Sequence, residues 1–198
     1  MRRHMASNPT IRYHGNLSLR TPVALLMLCA AGCQSADPPG APEPAGCDGG
    51  FLSASLHGAI SATIDWRDAA LTCAGMPRPD DGGARLRFAG SLSDADGERM
   101  VAIILGIDDV TRTETGRELP TNVTLIEEGA GRFFGTRDQA GCWTDLDYQD
   151  AQGNGSGARH AIGGTVYCVS PIAELNGGSS ISFTELEFSG VIDWEPLE

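Results

Sequence analysis

Lysine is missing from this 198-residue chain, so its 14 basic side chains are all arginine. That excludes Schiff-base chemistry, which needs a lysine amine. Also missing are the G-x-x-x-x-G-K and G-x-G-x-x-G loops that cradle phosphates, and the G-x-S-x-G turn that presents a serine nucleophile. No C-x-x-C pair occurs, and His57 and His160 lack ligand spacing, which argues against zinc. No apolar run approaches the roughly 20 residues that cross a bilayer as a helix. Basic charge is scarce: 14 arginines face 26 acids, a net charge of −12. That balance argues against binding nucleic acid, which needs a basic stripe to displace counterions. The same deficit argues against docking on an anionic membrane through surface charge. Hydrophobic residues still make up 41% of the chain, enough for a core, so general disorder is excluded too.

The first 32 residues have the pattern of an export leader. Arg2, Arg3, Arg12 and Arg20 form a positive start with no acid among them. A short apolar run, Val23 to Ala31, follows, and small residues precede Cys33. On Leu28 to Cys33, read as a lipobox, the chain resembles a bacterial lipoprotein. The place that usually holds leucine, three before the cysteine, holds Ala30; Gly32 and Cys33 fit the pattern. The resemblance implies cleavage before Cys33, a diacylglycerol on its sulfur and an acylated (palmitate-type) N-terminus, which together anchor a chain stably. Gln34, where an acid would favour inner-membrane retention, points by the same resemblance to the outer membrane. The competing reading is an ordinary secretory signal with Cys33 incidental.

Cleavage there leaves 10 arginines against 26 acids, a formal charge of −16. Scattered acids serve solubility; gathered ones would steer a cationic partner. Residues 33–50 carry Pro38, Pro39, Pro42 and Pro44, which favour extended backbone and make a tether. One domain is expected over residues 51–198.

That domain reads as strands. Leu56, Gly58, Ile60, Ala62, Ile64 and Trp66 recur with period two. Leu86 and Phe88 alternate with Arg85 and Arg87, and Val101 to Ile107 is apolar on both faces, as in a central strand. Further strands are expected at 122–127, 132–136, 143–148, 161–169 and one or two after Ile181. No long stretch has helical periodicity; a single helical turn is expected at Pro171–Leu175, ended by Gly177-Gly178. The expectation is an all-β antiparallel sandwich or barrel of about seven to nine short strands.

Beyond Cys29 and Cys33, Cys47, Cys73, Cys142 and Cys168 remain, and an exported chain oxidises them. A hairpin centred on Gly155 pairs residues whose numbers sum to 310. Thr144 then faces Val166, Leu146 faces Gly164, Tyr148 faces Ile162 and Cys142 faces Cys168. Cβ atoms of opposed residues lie about 4.5–5.5 Å apart, near the distance a disulfide needs. Cys47 with Cys73 follows by elimination.

Four acidic clusters stand out in the sequence. Asp94, Asp96 and Glu98 offer oxygens at alternate positions, a weak calcium candidate. The twelfth position of such a loop is Leu105 rather than Glu, so an Asp-Gly hairpin turn is preferred. Trp143, Asp145, Asp147 and Tyr148 form the candidate binding group, since aromatics with carboxylates bind sugars and paired carboxylates cleave them. Asp80-Asp81 and Asp108-Asp109 read as turn residues. No catalytic residue and no cofactor are assigned. The expected role is binding or structural, in a lipid-anchored envelope protein. Its partner would be a glycan or a cationic protein. The alternatives are an envelope glycan hydrolase using strand carboxylates, or an inhibitor of a cationic envelope hydrolase.

Overall fold

The computed structural model describes residues 47, 49–79, 82–94, 97–137, 141–153 and 158–195. The leader, Cys33 and most of the tether lie outside the described residues. The elements are β1 (Phe51–Gly58), β2 (Ala62–Arg67), a 3-10 turn (Asp68–Ala70), β3 (Thr72–Pro77), β4 (Gly83–Asp94), β5 (Gly97–Asp108) and β6 (Gly116–Glu127). They continue with β7 (Arg132–Gly135), β8 (Cys142–Ala151), β9 (Arg159–Cys168), β10 (Ile172–Glu174), β11 (Ser180–Phe183) and β12 (Leu186–Asp193).

All twelve strands belong to one antiparallel sheet. Several are pieces of longer ribbons. β7 and β8 both pair with β6. β10 and β9 pair in turn with β7 and β8, and β11 and β12 both pair with β1. Read as ribbons there are nine, although the strands number twelve against the seven to nine expected. Their order is β3, β4, β5, β6, β7/β8, β9/β10, β11/β12, β1, β2, so the sheet is a meander whose last ribbon pairs with its first strand. Its two ends, β2 and β3, are folded back over the sheet. Trp66 Nε1 donates to the Ser91 carbonyl of β4 at 2.6 Å. β3 lies against β12 so closely that a Cβ on Gly75 would collide with the Val191 carbonyl oxygen.

Alternation sets the interior. Leu52, Ala54, Leu56, Ile64, Trp66, Leu86, Phe88, Val101, Ile103, Leu105, Val123, Leu125, Ile162, Val166 and Phe188 are all buried. The period-two run from Leu56 to Trp66 is two strands, not one. Leu56 pairs with Ala62 across the turn, and even residues therefore oppose even residues. A hairpin of that register keeps the alternation in phase, so periodicity alone cannot show the turn.

The helical turn expected at Pro171–Leu175 is instead strand β10. Its backbone is claimed on both sides: Ala173 pairs with Gly135 and Ile172 with Ile181. Short-range propensity yields to those ladders.

Both expected disulfides form. Cys142 and Cys168 are directly opposed, with Cα atoms 4.1 Å apart. Cys47 joins Cys73 with Cα atoms 5.3 Å apart. The register sum of 310 holds from Cys142 to Leu146 and then fails. Tyr148 faces Gly163 rather than Ile162, because a bulge between Leu146 and Tyr148 inserts an extra residue.

Candidate functional site

The candidate group lies on the outer face of β8 and β9. Thr144 and Leu146 point into the core, so Trp143, Asp145 and Asp147 point out. The register that joins the cysteines also sets Trp143 beside Tyr167, with ring centroids 6.1 Å apart and planes inclined at 30°. Pro120 of β6 is opposite Trp143 on its other side. An apolar row Pro120–Trp143–Tyr167 results. The next row is polar: Asp145, Thr165, Glu187, Ser53 and Asp65 stand opposite one another across five strands.

Asp145 is the hub of the polar row. The Glu118 N–H donates to its Oδ1 at 2.9 Å. Arg117 Nη1 donates to its Oδ2 at 2.8 Å. Arg117 Nη2 also lies 3.4 Å from Asp147 Oδ1, so one guanidinium holds both carboxylates. Tyr167 Oη makes a long contact of 3.5 Å to Asp145. The Glu118 amide can point this way because Glu118 has φ 55, in a bulged stretch of β6 between Gly116 and Leu119. A left-handed non-glycine residue costs of order 1–3 kcal/mol and is held only by its surroundings. Here the carboxylate receives the amide that this conformation turns outward.

These donors fix protonation. The Glu118 amide, then the Arg117 guanidinium, hold the Asp145 carboxyl below its ordinary range. Desolvation, then the Asp145 charge, push the Tyr167 phenol up. The Arg117 guanidinium is raised, chiefly by its bond to Asp145. Because folding favours the charged carboxylate, its contribution to stability is full above the ordinary aspartate range. It disappears as pH falls through the lowered value. In a carboxyl NMR titration Asp145 is expected to turn over below 3.8, its ordinary value. Arg117→Gln should move the midpoint upward. An Asp145 midpoint at or above the ordinary value would contradict this geometry.

Tyr148 shares the outer face but does not join the group. It sits roughly 15 Å along the strand from Trp143. Its hydroxyl donates to Ser189 Oγ at 2.7 Å, and its ring lies across Gly163, where a Cβ would meet it at 2.5 Å. It is a packing residue. Asp94 pairs with Gly97, and Glu98 with Ser93, at the end of the β4–β5 hairpin. The Asp94 side chain, Asp96, Asp80 and Asp81 lie outside the described residues. Among the described residues no three His, Cys, Asp or Glu side chains gather as a metal site. Asp108 ends β5 and is ion-paired with Arg78.

A second charged cluster closes on itself. Glu127, an inward position of β6, accepts from Arg99 at 2.7 Å and from Arg132 at 3.3 Å. Arg132 also donates to Glu174 at 3.0 Å. The Ser179 hydroxyl, then Arg132, lower the Glu174 carboxyl. Each carboxylate is engaged, which suits a structural network rather than a ligand site.

Sequence reasoning missed Arg117, Glu118, Thr165 and Tyr167. Tyr167 was within reach, since 143 and 167 sum to 310. Arg117 was not, because the β-branched pattern marks only 122–127 of β6. Among known proteins, no family model, no curated protein and no solved structure matches this chain.

Proposed function

We propose that this is an exported, lipid-anchored envelope protein whose β-domain binds a glycan on the outer face of β8 and β9. The observation that carries this is the pairing of an aromatic platform, Trp143 with Tyr167, with a fixed polar row beside it. Sugar C–H faces pack on aromatic rings, and sugar hydroxyls donate to fixed carboxylates and accept from fixed N–H and O–H groups. Asp145, Asp147, Arg117 and Thr165 supply those groups. Cleavage is disfavoured. A glycosidase needs one carboxyl kept protonated as acid, whereas Asp145 is held ionised and shares one guanidinium with Asp147. The leader and Cys33 support the anchor, and the two disulfides suit an oxidising compartment.

The inhibitor-like reading, a cationic protein as partner, rests on the same polar row. Asp65 is tied to Arg67 at 2.9 Å and Asp145 to Arg117, but Glu187 between them has no ion pair among the described residues.

The test uses protein purified from its native envelope. Intact mass is expected to show a mature chain beginning at acylated Cys33. On an envelope-glycan panel, Trp143→Ala is expected to weaken binding roughly tenfold or more, equal to about 1.4 kcal/mol. An unmodified N-terminus elsewhere removes the anchor. Glycan binding unchanged by Trp143→Ala removes the platform. Binding only to a cationic protein, and lost at high salt, favours the second partner.

A further inference from the structure

A concavity lies on another part of the outer face, over β4, β5 and β6. It is a groove of about 430 Å³, within the size range of small-molecule sites. Direct pairing orders this part of the sheet in rows, of which Arg85, Gly106, Asn122, Ile104, Thr124 and Ile126 line the groove. Arg85, Gly106 and Asn122 form one row, and Arg87, Ile104 and Thr124 the next. Ala89, Ala102 and Ile126 form the third. The groove therefore passes from cationic to apolar over about 13 Å of strand.

At the cationic end stand Arg78 and Arg85. Arg78 is held by Asp108, so its charge is largely spent. Arg85 is exposed and has no acidic partner among the described residues, although acids outnumber arginines in this chain. Arg87, next along β4, is neutralised by Glu128 at 2.7 Å. One guanidinium with no acidic partner among the described residues therefore overlooks the groove. Beyond it, half-buried Ile104 and Ile126 supply an apolar wall.

Gly106 opens the floor. A Cβ there would meet nothing nearer than Asn122 Cβ at 3.7 Å and Arg78 Nη1 at 3.9 Å, both ordinary contacts. Neither packing nor backbone conformation demands glycine here. What its missing side chain provides is space beside the guanidiniums.

The geometry points to a binding site for a small amphiphilic carboxylate, its head on Arg85 and its alkyl chain over Ile104 and Ile126. A guanidinium pairs a carboxylate through two parallel N–H donors, and Ile104 with Ile126 offers an apolar surface to a chain of medium length. This site uses none of the residues of the β8–β9 face and stands or falls separately from it.

The full chain would be titrated with sodium decanoate and followed by amide NMR. Saturable shifts are expected at Ile104, Gly106, Thr124 and Ile126. Arg85→Glu, an exposed change, should weaken the affinity at least tenfold. Gly106→Val should fill the groove and abolish binding while the melting temperature is kept. Acetate, the head without the chain, should not saturate. Decyltrimethylammonium, the chain with the opposite charge, should bind at least tenfold more weakly than decanoate. The proposal is overturned by shifts that map elsewhere or do not occur. It is overturned equally by decyltrimethylammonium binding as tightly as decanoate, or by unchanged affinity in Arg85→Glu.

Discussion

Replacing all four domain cysteines with alanine is expected to lower stability by about 7 kcal/mol, twice the effect of either pair alone. Each bridge closes a loop with a sequence separation of 26. Loop-closure entropy then assigns about 3.5 kcal/mol to each. Loops 47–73 and 142–168 share no residues, so in the unfolded chain the two constraints act independently and should add. A domain with a usual stability of about 5–15 kcal/mol would be left close to unfolding. Alanine is the right replacement because Cys47, Cys73 and Cys142 are buried, and a serine hydroxyl would add its own penalty. Urea unfolding of Cys142→Ala with Cys168→Ala, of Cys47→Ala with Cys73→Ala, and of all four together measures this. A fourfold variant no weaker than either pair would contradict independence.

Phe88→Ala is expected to cost about 3–5 kcal/mol, at the upper end for a core truncation. Phe88 is fully buried and meets Phe188 with ring centroids 5.7 Å apart and planes at 58°. Its ring covers Gly190 so closely that a Cβ there would lie 3.0 Å from it. A glycine has no side chain to move into the vacated space, so the cavity stays open. Gly190→Ala should be destabilising alone and partly restorative beside Phe88→Ala. Denaturant midpoints of the two single variants and the double one give the coupling. Additive effects would show that the cavity closes by other means.

Much of the architecture was legible because side-chain alternation is imposed by the pleat. The apolar run Val101 to Ile107 is a central strand as expected, with Val101, Ile103 and Leu105 buried, and the register arithmetic brought Cys142 to Cys168. What escaped was whatever left the alternation undisturbed or imitated something else. The turn after Gly58 preserves phase. Pro171-Ile172-Ala173-Glu174-Leu175 has a proline start, helix formers and a Gly-Gly stop, yet its fate is decided by β7 and β11, distant in sequence. β3, with Thr72, Ala74 and Gly75, carries too little apolar signal to be read at all. At the candidate site, Trp143 and Asp145 were found because they share a strand face. Arg117 and Glu118 were not, because a bulge with φ 55 at Glu118 breaks the pattern that would have announced the start of β6.

The seam between the ends of the chain has a consequence for timing. Phe51, the first residue of β1, pairs with Ser189 in β12, so one ladder unites the earliest and latest parts of the domain. Local hairpins such as β4–β5 can form as soon as their own residues are free. The sheet cannot close until nearly the whole domain has been made. Long-range pairing of this kind places refolding in the millisecond-to-second range rather than microseconds. A chain still being synthesised, or still threading through a narrow channel, therefore remains an open string of hairpins. It acquires its full stability only when its last strand arrives.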